Sequence, residues 1–274
     1  TLATVIYNMV TANTLDSNTR IYVNYGGAIL SSKWYGDIDY SKMDHDKLTL
    51  SEYIAKDLEL SEEEIELAKL IGLLHDIGRF EQAKRYNDYR DYRTVDHAVL
   101  GVDILFEQNL IRNFIENNEY DNIIYKAILN HNKLEIENGL NEKELLHSKI
   151  IRDADKADNF RVKQEETVEN LLYMAKDLDE IENNIITDKI YQDFMQNKLI
   201  VNEDRVTPLD HWVSYFAFIF DFNFSSGLKY IMEKDYINKN IDRINYKNPD
   251  TKNKMESIRN HSLEYVKNRI SQGN

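Results

Sequence analysis

Apolar positions recur three and four residues apart along most of this chain, which is the spacing of one buried face on a helix. Ile65, Ala68, Ile71 and Leu74 form one such face. Ser61 followed by Glu64 makes a capping box ahead of it and predicts the helix start. The same helix is predicted to end in His75-Asp76, with Gly78 placed to let the backbone turn out. Upstream, a first long helix is predicted from about Asp44 to Leu58, with His45 near its start. Residues 80–96 are polar and rich in Tyr, Arg and Asp, and predict a loop. Thr94 or Asp96 then caps a helix carrying His97, with Val102, Leu105 and Phe106 as its buried stripe. A further helix covers about Glu119 to His131 and sets His131 on the same face as Ile124, Ala127 and Ile128. Asn138-Gly139 signals a turn. A helix from about Glu142 to Val162 follows, with Ile151, Asp155 and Asp158 along one side.

The ends of the chain are less patterned. Residues 1–40 contain Gly26-Gly27 and several Asn and Asp, and predict a short helix followed by an irregular lead-in. Beyond residue 165, helical patterns separated by polar turns continue to about Arg269. With 2 prolines and 9 glycines in 274 residues, the chain carries little punctuation, which favours long helices. No fixed-period repeat and no linker is visible. The expected organisation is an all-α core over residues 1–165, lead-in included, and a helical extension over 166–274 packed on it as one domain.

The predicted helices carry an ordered series of ligand-type residues: His45, His75-Asp76, His97, His131 and Asp155. It contains four of the chain's 7 histidines. Mixed imidazole and carboxylate ligands suit zinc, manganese, iron, nickel or cobalt. Six such groups are too many for one tetrahedral ion, but they suit two ions that share a carboxylate. For His97 or His131 taken alone, a hydrogen-bonded core histidine is the commoner role; the ordered set is what points to metal.

The order H…HD…H…H…D resembles the HD-domain metal-dependent phosphohydrolases. The local phrases Leu74-His75-Asp76-Ile77-Gly78-Arg79, Asp96-His97-Ala98-Val99-Leu100-Gly101, Asn130-His131-Asn132-Lys133 and Arg152-Asp153-Ala154-Asp155-Lys156-Ala157-Asp158 are similar to that family too. The resemblance covers roughly residues 40–165. It implies an HD-like helical bundle holding two divalent ions (Mn, Fe, Ni, Co, Zn or Mg). His45, His75, Asp76 and Asp155 would hold one ion, and His97 and His131 the other, with Asp76 bridging. Asp153 and Asp158 crowd the same segment as Asp155, which is preferred because it precedes Lys156-Ala157. The implied reaction is hydrolysis of a small phosphate ester, such as a nucleotide monoester or diester, by a metal-bridging hydroxide. Beside Asp76, Arg79 and Lys156 are expected to serve catalysis by orienting the phosphate, with Lys133 as a further substrate-binding cation. Arg85, Arg90 and Arg93 lie on the polar loop, where a solvated surface charge is the commoner role.

Charge and composition narrow the partners. The net charge of −14 repels nucleic-acid backbones and anionic membranes, so the expected partner is a small phosphorylated molecule rather than a long nucleic acid or a membrane. The absence of cysteine excludes disulfides and thiolate ligands and fits a reducing cytoplasm. No signal peptide is visible in a sequence that begins at Thr1. The most apolar run, Trp212 to Phe224, is too short and too polar to span a bilayer. His211, Tyr215, Phe218 and Phe222 share a helical stripe there. It is expected to pack as core, with stacking on a nucleobase or a subunit interface as alternatives. A monomer and a homodimer are both compatible with the sequence. Two other functions fit the ligand set: a di-iron oxygenase of HD-like fold, and a non-catalytic module that binds nucleotide or metal and signals.

Overall fold

A computed structural model describes residues 21–25, 28–32, 50–88 and 90–273. The fold is helical, and the chain divides into two compact units, residues 1–155 and 156–274. The division falls inside one long helix, Glu142–Glu165.

In the first unit, the helices are α1 (Leu50–Asp57), α2 (Glu62–Leu74), α3 (Ile77–Tyr86), α4 (His97–Val102), α5 (Asp121–Asn130) and the first part of α6 (Glu142–Glu165). Ser61 caps α2 by accepting from the Glu64 amide at 3.3 Å. The Glu64 carboxylate faces Lys143 at 3.5 Å. A two-way capping box opens α6 instead, where Asn141 Oδ1 accepts from the Glu144 amide and Glu144 Oε2 accepts from the Asn141 amide. The core of the unit gathers Leu67, Ile71 and Leu74 from α2, Ile77 and Phe80 from α3, Ile123, Ile124, Ala127 and Ile128 from α5, and Ile151 from α6. Ile71 and Leu74, Ile124, Ala127 and Ile128, and Ile151 are predicted apolar positions turned inward; the α3 contribution was not predicted.

Four local expectations are corrected. The lead-in is not wholly irregular: Ile21–Tyr25 and Ala28–Ser32 pair as an antiparallel hairpin, in the register Ile21↔Ser32 to Tyr25↔Ala28. Two glycines between two short β-prone runs are a hairpin signal. Gly78 does not turn the chain out of a helix, because α3 starts at Ile77 and Gly78 lies within it. Its role is close approach: a Cβ there would meet the His97 carbonyl oxygen at 2.0 Å and the Gly101 amide nitrogen at 2.6 Å. Residues 80–86, expected in a loop, complete α3, which stops at Asn87 in the left-handed conformation (φ 50°). Asn tolerates that conformation better than most residues, which suits it to end a helix. Finally, α4 does not run on as a regular helix. It widens into a π-turn over Asp103–Glu107, closed by Gln108 N–H donating to Asp103 O at 3.1 Å.

The second unit holds the rest of α6, α7 (Val168–Leu171), α8 (Leu178–Asn183), α9 (Asp188–Met195), α10 (Pro208–Phe216), α11 (Ser225–Glu233), α12 (Tyr236–Ile241) and α13 (Pro249–Gln272). α9, α11 and α12 pack on α13. Thr207 and Asp210 form a capping box for α10, with Pro208 in its first turn. The stripe expected to be buried on α10 is displaced. Leu209, Trp212, Val213 and Phe216 are buried, whereas of the expected stripe Phe222 is buried and His211, Tyr215 and Phe218 are only partly buried. The helix also ends at Phe216, so the stripe does not continue on one face to Phe222. Among the described residues, no helix is long and apolar enough to cross a membrane.

Candidate metal centre

Each histidine of the cluster is fixed by a packed helix, and each sits where that helix stops or starts. His75 is the C-terminal cap of α2, and its own amide donates to Ile71 O. Asp76 occupies the cap position of α3 without spending its carboxylate on the helix amides. His97 is the first residue of α4, whose cap Asp96 accepts from the Ala98 and Val99 amides at 2.8 and 3.4 Å. His131 caps the C-terminus of α5. The segments bearing His97 and His131 are tied together by Asn132, whose Nδ2 donates to Asp96 Oδ1 at 2.8 Å.

The ring nitrogens are assigned by their partners. His75 Nδ1 lies 2.9 Å from Gly72 O, and His131 Nδ1 lies 2.6 Å from Ile128 O. A carbonyl oxygen only accepts, so both Nδ1 atoms carry a proton. His97 Nδ1 lies 2.7 Å from Asp91 Oδ2. Asp91 is ionised at neutral pH: burial raises its pKa, but His97 and Arg79 outweigh burial and bring it down to about 2. His97 Nδ1 is therefore also a donor. All three rings donate through Nδ1, which leaves Nε2 as the atom turned to the site, open to a proton or a cation, the arrangement that metal-binding histidines share.

Those Nε2 atoms converge. His97 Nε2 and His131 Nε2 face each other at 2.9 Å, and their ring centroids lie 4.9 Å apart. Two nitrogen lone pairs at that distance repel unless a cation or a proton lies between them. Asp76 reaches both sides of the cluster. Its Oδ1 is 3.1 Å from His97 Nε2 and 3.6 Å from His131 Nε2, and its Oδ2 is 3.8 Å from His75 Nε2. Asp155 completes the His75 side, with Oδ1 at 3.9 Å from Nε2. One ligand atom each from His75, Asp76 and His131 lies within 4.8 Å of the others.

The rings are buried, at 0, 2 and 5 % exposure for His75, His97 and His131. Burial raises the Asp76 carboxyl, but His75, His131 and His97 outweigh it and hold Asp76 well below the usual range. Burial lowers His75, but Asp76 and Asp155 outweigh it and raise the ring to about 9. His97 is raised too, because Asp76 and Asp91 offset its burial. His131 is lowered, by burial and by the two other rings. Buried anionic oxygen beside imidazoles that recruit protons is the electrostatic signature of a place for positive charge. The donor set, imidazole nitrogen plus carboxylate, fits a divalent transition metal.

The structure brings together His75, Asp76, His97, His131 and Asp155 from the predicted series. His45 lies outside the described residues. Arg79 is at the site, with Nε 3.7 Å from Asp76 and Nη1 2.8 Å from Asp91. Lys133 pairs with Glu137 at 3.3 Å. Lys156 belongs to the second unit, where its Nζ lies 2.9 Å from Asp221. Asp153 is fully buried, and Asp158 pairs with Arg161 at 2.7 Å. Of the loop cations, Arg85 pairs with Glu81 and Arg90 with Asp88. Three residues that shape the site, Gln82, Asp91 and Asn132, are absent from the predicted set. They are ordinary polar residues whose roles depend on contacts across the fold.

Residues 48–159 match the family model described as HD domain. No curated protein and no solved structure matches the chain.

Proposed function

On the premise that residues 48–159 of this chain are an HD domain, a family mostly of metal-dependent hydrolases, we propose that the protein is a metal-dependent phosphohydrolase acting on a small phosphate ester, a nucleotide monoester or diester among the candidates. The observation that carries this reading is the convergence of three histidine Nε2 atoms on one shared carboxylate. His75 and Asp155 would hold one divalent cation and His97 and His131 a second, with Asp76 between them. Divalent cations there would supply Lewis acidity toward a phosphoryl oxygen and toward the attacking water.

The chain's own residues do the rest. Asp76 keeps its charge, because three rings depress its pKa, and so holds both halves of the site together. The Nδ1 donors keep the rings from rotating away. Arg79 lies beside Asp76 and is a cation that can bind a phosphate oxygen in two-point fashion.

The test is a panel of aryl and nucleoside phosphate mono- and diesters, assayed with Mn2+, Co2+, Ni2+, Zn2+ or Mg2+, in air and under argon. Turnover that is abolished by chelation, restored by a redox-inert ion and indifferent to oxygen supports the proposal. Turnover that requires oxygen and iron would assign the site to oxygenase chemistry. Tight ligand binding with no turnover would leave a binding module.

A further inference from the structure

Asp91 opens a single 3-10 turn, Asp91–Arg93, on the short connection between α3 and α4. Its two oxygens have separate tasks. Oδ2 accepts the Nδ1 proton of His97 at 2.7 Å. Oδ1 accepts from Gln82 Nε2 at 2.9 Å and from Arg79 Nη1 at 2.8 Å. The carboxylate is thereby oriented as well as charged.

Gln82 is what holds this connection to α3. Its side chain is fully buried, and its Nε2 also lies 2.8 Å from Thr94 Oγ1 and 2.9 Å from Val95 O. Its Oε1 accepts from Arg79 Nη1 at 3.1 Å. A buried amide satisfied at both ends fixes geometry, and deleting it leaves several buried groups unpaired. Asp91, Asp96 and His97 also lie close enough together to suggest a cation site of their own. Their facing atoms are already engaged, however. Asp96 Oδ1 accepts from Ala98 N–H and Asn132 Nδ2, and Asp91 Oδ2 accepts from His97.

We propose that Gln82 and Asp91 are positioning residues: Gln82 orients Asp91, Asp91 fixes the tautomer of His97, and the tautomer sets the affinity of the centre for its cation. The affinity step rests on the metal-site reading above. The tautomer step does not.

The geometry makes a specific claim about Asp91→Asn. The position of Oδ1 faces two donors, so an amide there keeps its oxygen on that side. Its NH2 then faces His97 Nδ1 and forces that nitrogen to accept. The ring proton moves to Nε2, where it points at His131 and Asp76 and blocks the lone pair. The near-isosteric substitution is therefore expected to harm the site through proton placement rather than through lost volume.

The experiment uses the full chain, metal-free and 15N-labelled, as wild type, Asp91→Asn, Asp91→Ala and Gln82→Ala, each checked for cooperative thermal unfolding. Imidazole proton–nitrogen correlations, followed upward in pH until the His97 ring is neutral, read its tautomer, and titration with Mn2+, followed by paramagnetic resonance of the free ion, reads affinity. Expected are an Nδ1–H tautomer in the wild type, an Nε2–H tautomer in Asp91→Asn, and a loss of Mn2+ affinity of about 10- to 100-fold in that variant. Gln82→Ala is expected to give a mixed tautomer and a smaller loss, and it carries the test if Asp91→Asn does not fold. An Nδ1–H tautomer with unchanged affinity in Asp91→Asn would overturn the proposal. So would loss of a whole Mn2+ equivalent with the tautomer intact, since Asp91 would then be a ligand. A wild type that takes up no Mn2+ would sink the metal-site reading, while the tautomers would still decide the positioning role.

Discussion

At Gly78 the chain has no room for one more carbon. The missing side chain lets α3 approach the start of α4 until a Cβ would lie 2.0 Å from the His97 carbonyl oxygen. The obstacle is backbone, so it cannot rotate aside. Gly78→Ala should destabilise the protein by about 3 kcal/mol, at the upper end for overpacking, and weaken metal binding by displacing His97. Gly101, across the same contact, is the control. Its Cβ would meet nothing closer than 3.4 Å, so Gly101→Ala should be neutral or mildly stabilising in urea denaturation. A second residue-scale prediction concerns His147 on α6. It is 1 % exposed, and neither ring nitrogen has a partner among the described residues. Burial, helped by the nearby Lys143 charge, depresses its pKa to about 4. The folded protein thus keeps this ring neutral, while the unfolded chain protonates it near pH 6.5. Its contribution is intact above that pH and is lost progressively as pH falls toward 4, by about 3 kcal/mol. Stability measured between pH 7 and 4 should fall less steeply in His147→Leu; an identical slope would remove His147 from the account. At this scale the sequence was informative where chemistry is rare. A His-Asp pair and two further histidines in order are uncommon enough to read. Gln82 and Asp91 were not legible, because each is a common residue given its role by contacts with other segments.

At the scale of elements, the cap at Asp96 joins helix start to site geometry. It satisfies the first amides of α4 and receives Asn132 from the segment after α5. Asp96→Ala should cost about 1 kcal/mol as a lost cap. It should also lower metal affinity, because it loosens the tie between the His97 and His131 segments. Asn132→Ala should reproduce the affinity loss with little of the stability loss, as comparison of urea midpoints with Mn2+ titrations would show. The helices of the first unit were legible because their apolar faces repeat over two or more turns, as α2 and α5 do. α3 was missed because it reads as polar: Arg79, Glu81, Gln82, Lys84 and Arg85 fill ten residues in which only Ile77, Gly78, Phe80, Gln82 and Ala83 are buried. One of those buried positions is a glutamine, which a hydrophobic pattern counts as surface. The stripe on α10 is shifted by about one position, since Trp212 and Phe216 are buried while Tyr215 and Phe218 are only partly so.

Across the whole molecule, the net charge of −14 opposes the approach of any polyanion, whereas the candidate centre is a local place for positive charge. Binding of a labelled duplex DNA should therefore be undetectable by anisotropy at about 0.15 M salt, where the Debye length is about 8 Å. Salt-sensitive, tight binding would contradict this view of the partners. The resemblance to the HD-domain family is legible over residues 48–159, where the family model matches, because that family's pattern is one of fixed residue types in a fixed order. The second unit has no such constraint, and its packing of apolar faces says how it folds without saying what it recognises. The central claim is that the cluster around Asp76 binds divalent metal. Its most direct test is elemental analysis of dialysed protein after reconstitution, wild type beside Asp76→Ala. About two ions per chain are expected in the wild type, and their loss in the variant. No bound ion, or equal metal content in both proteins, would contradict it.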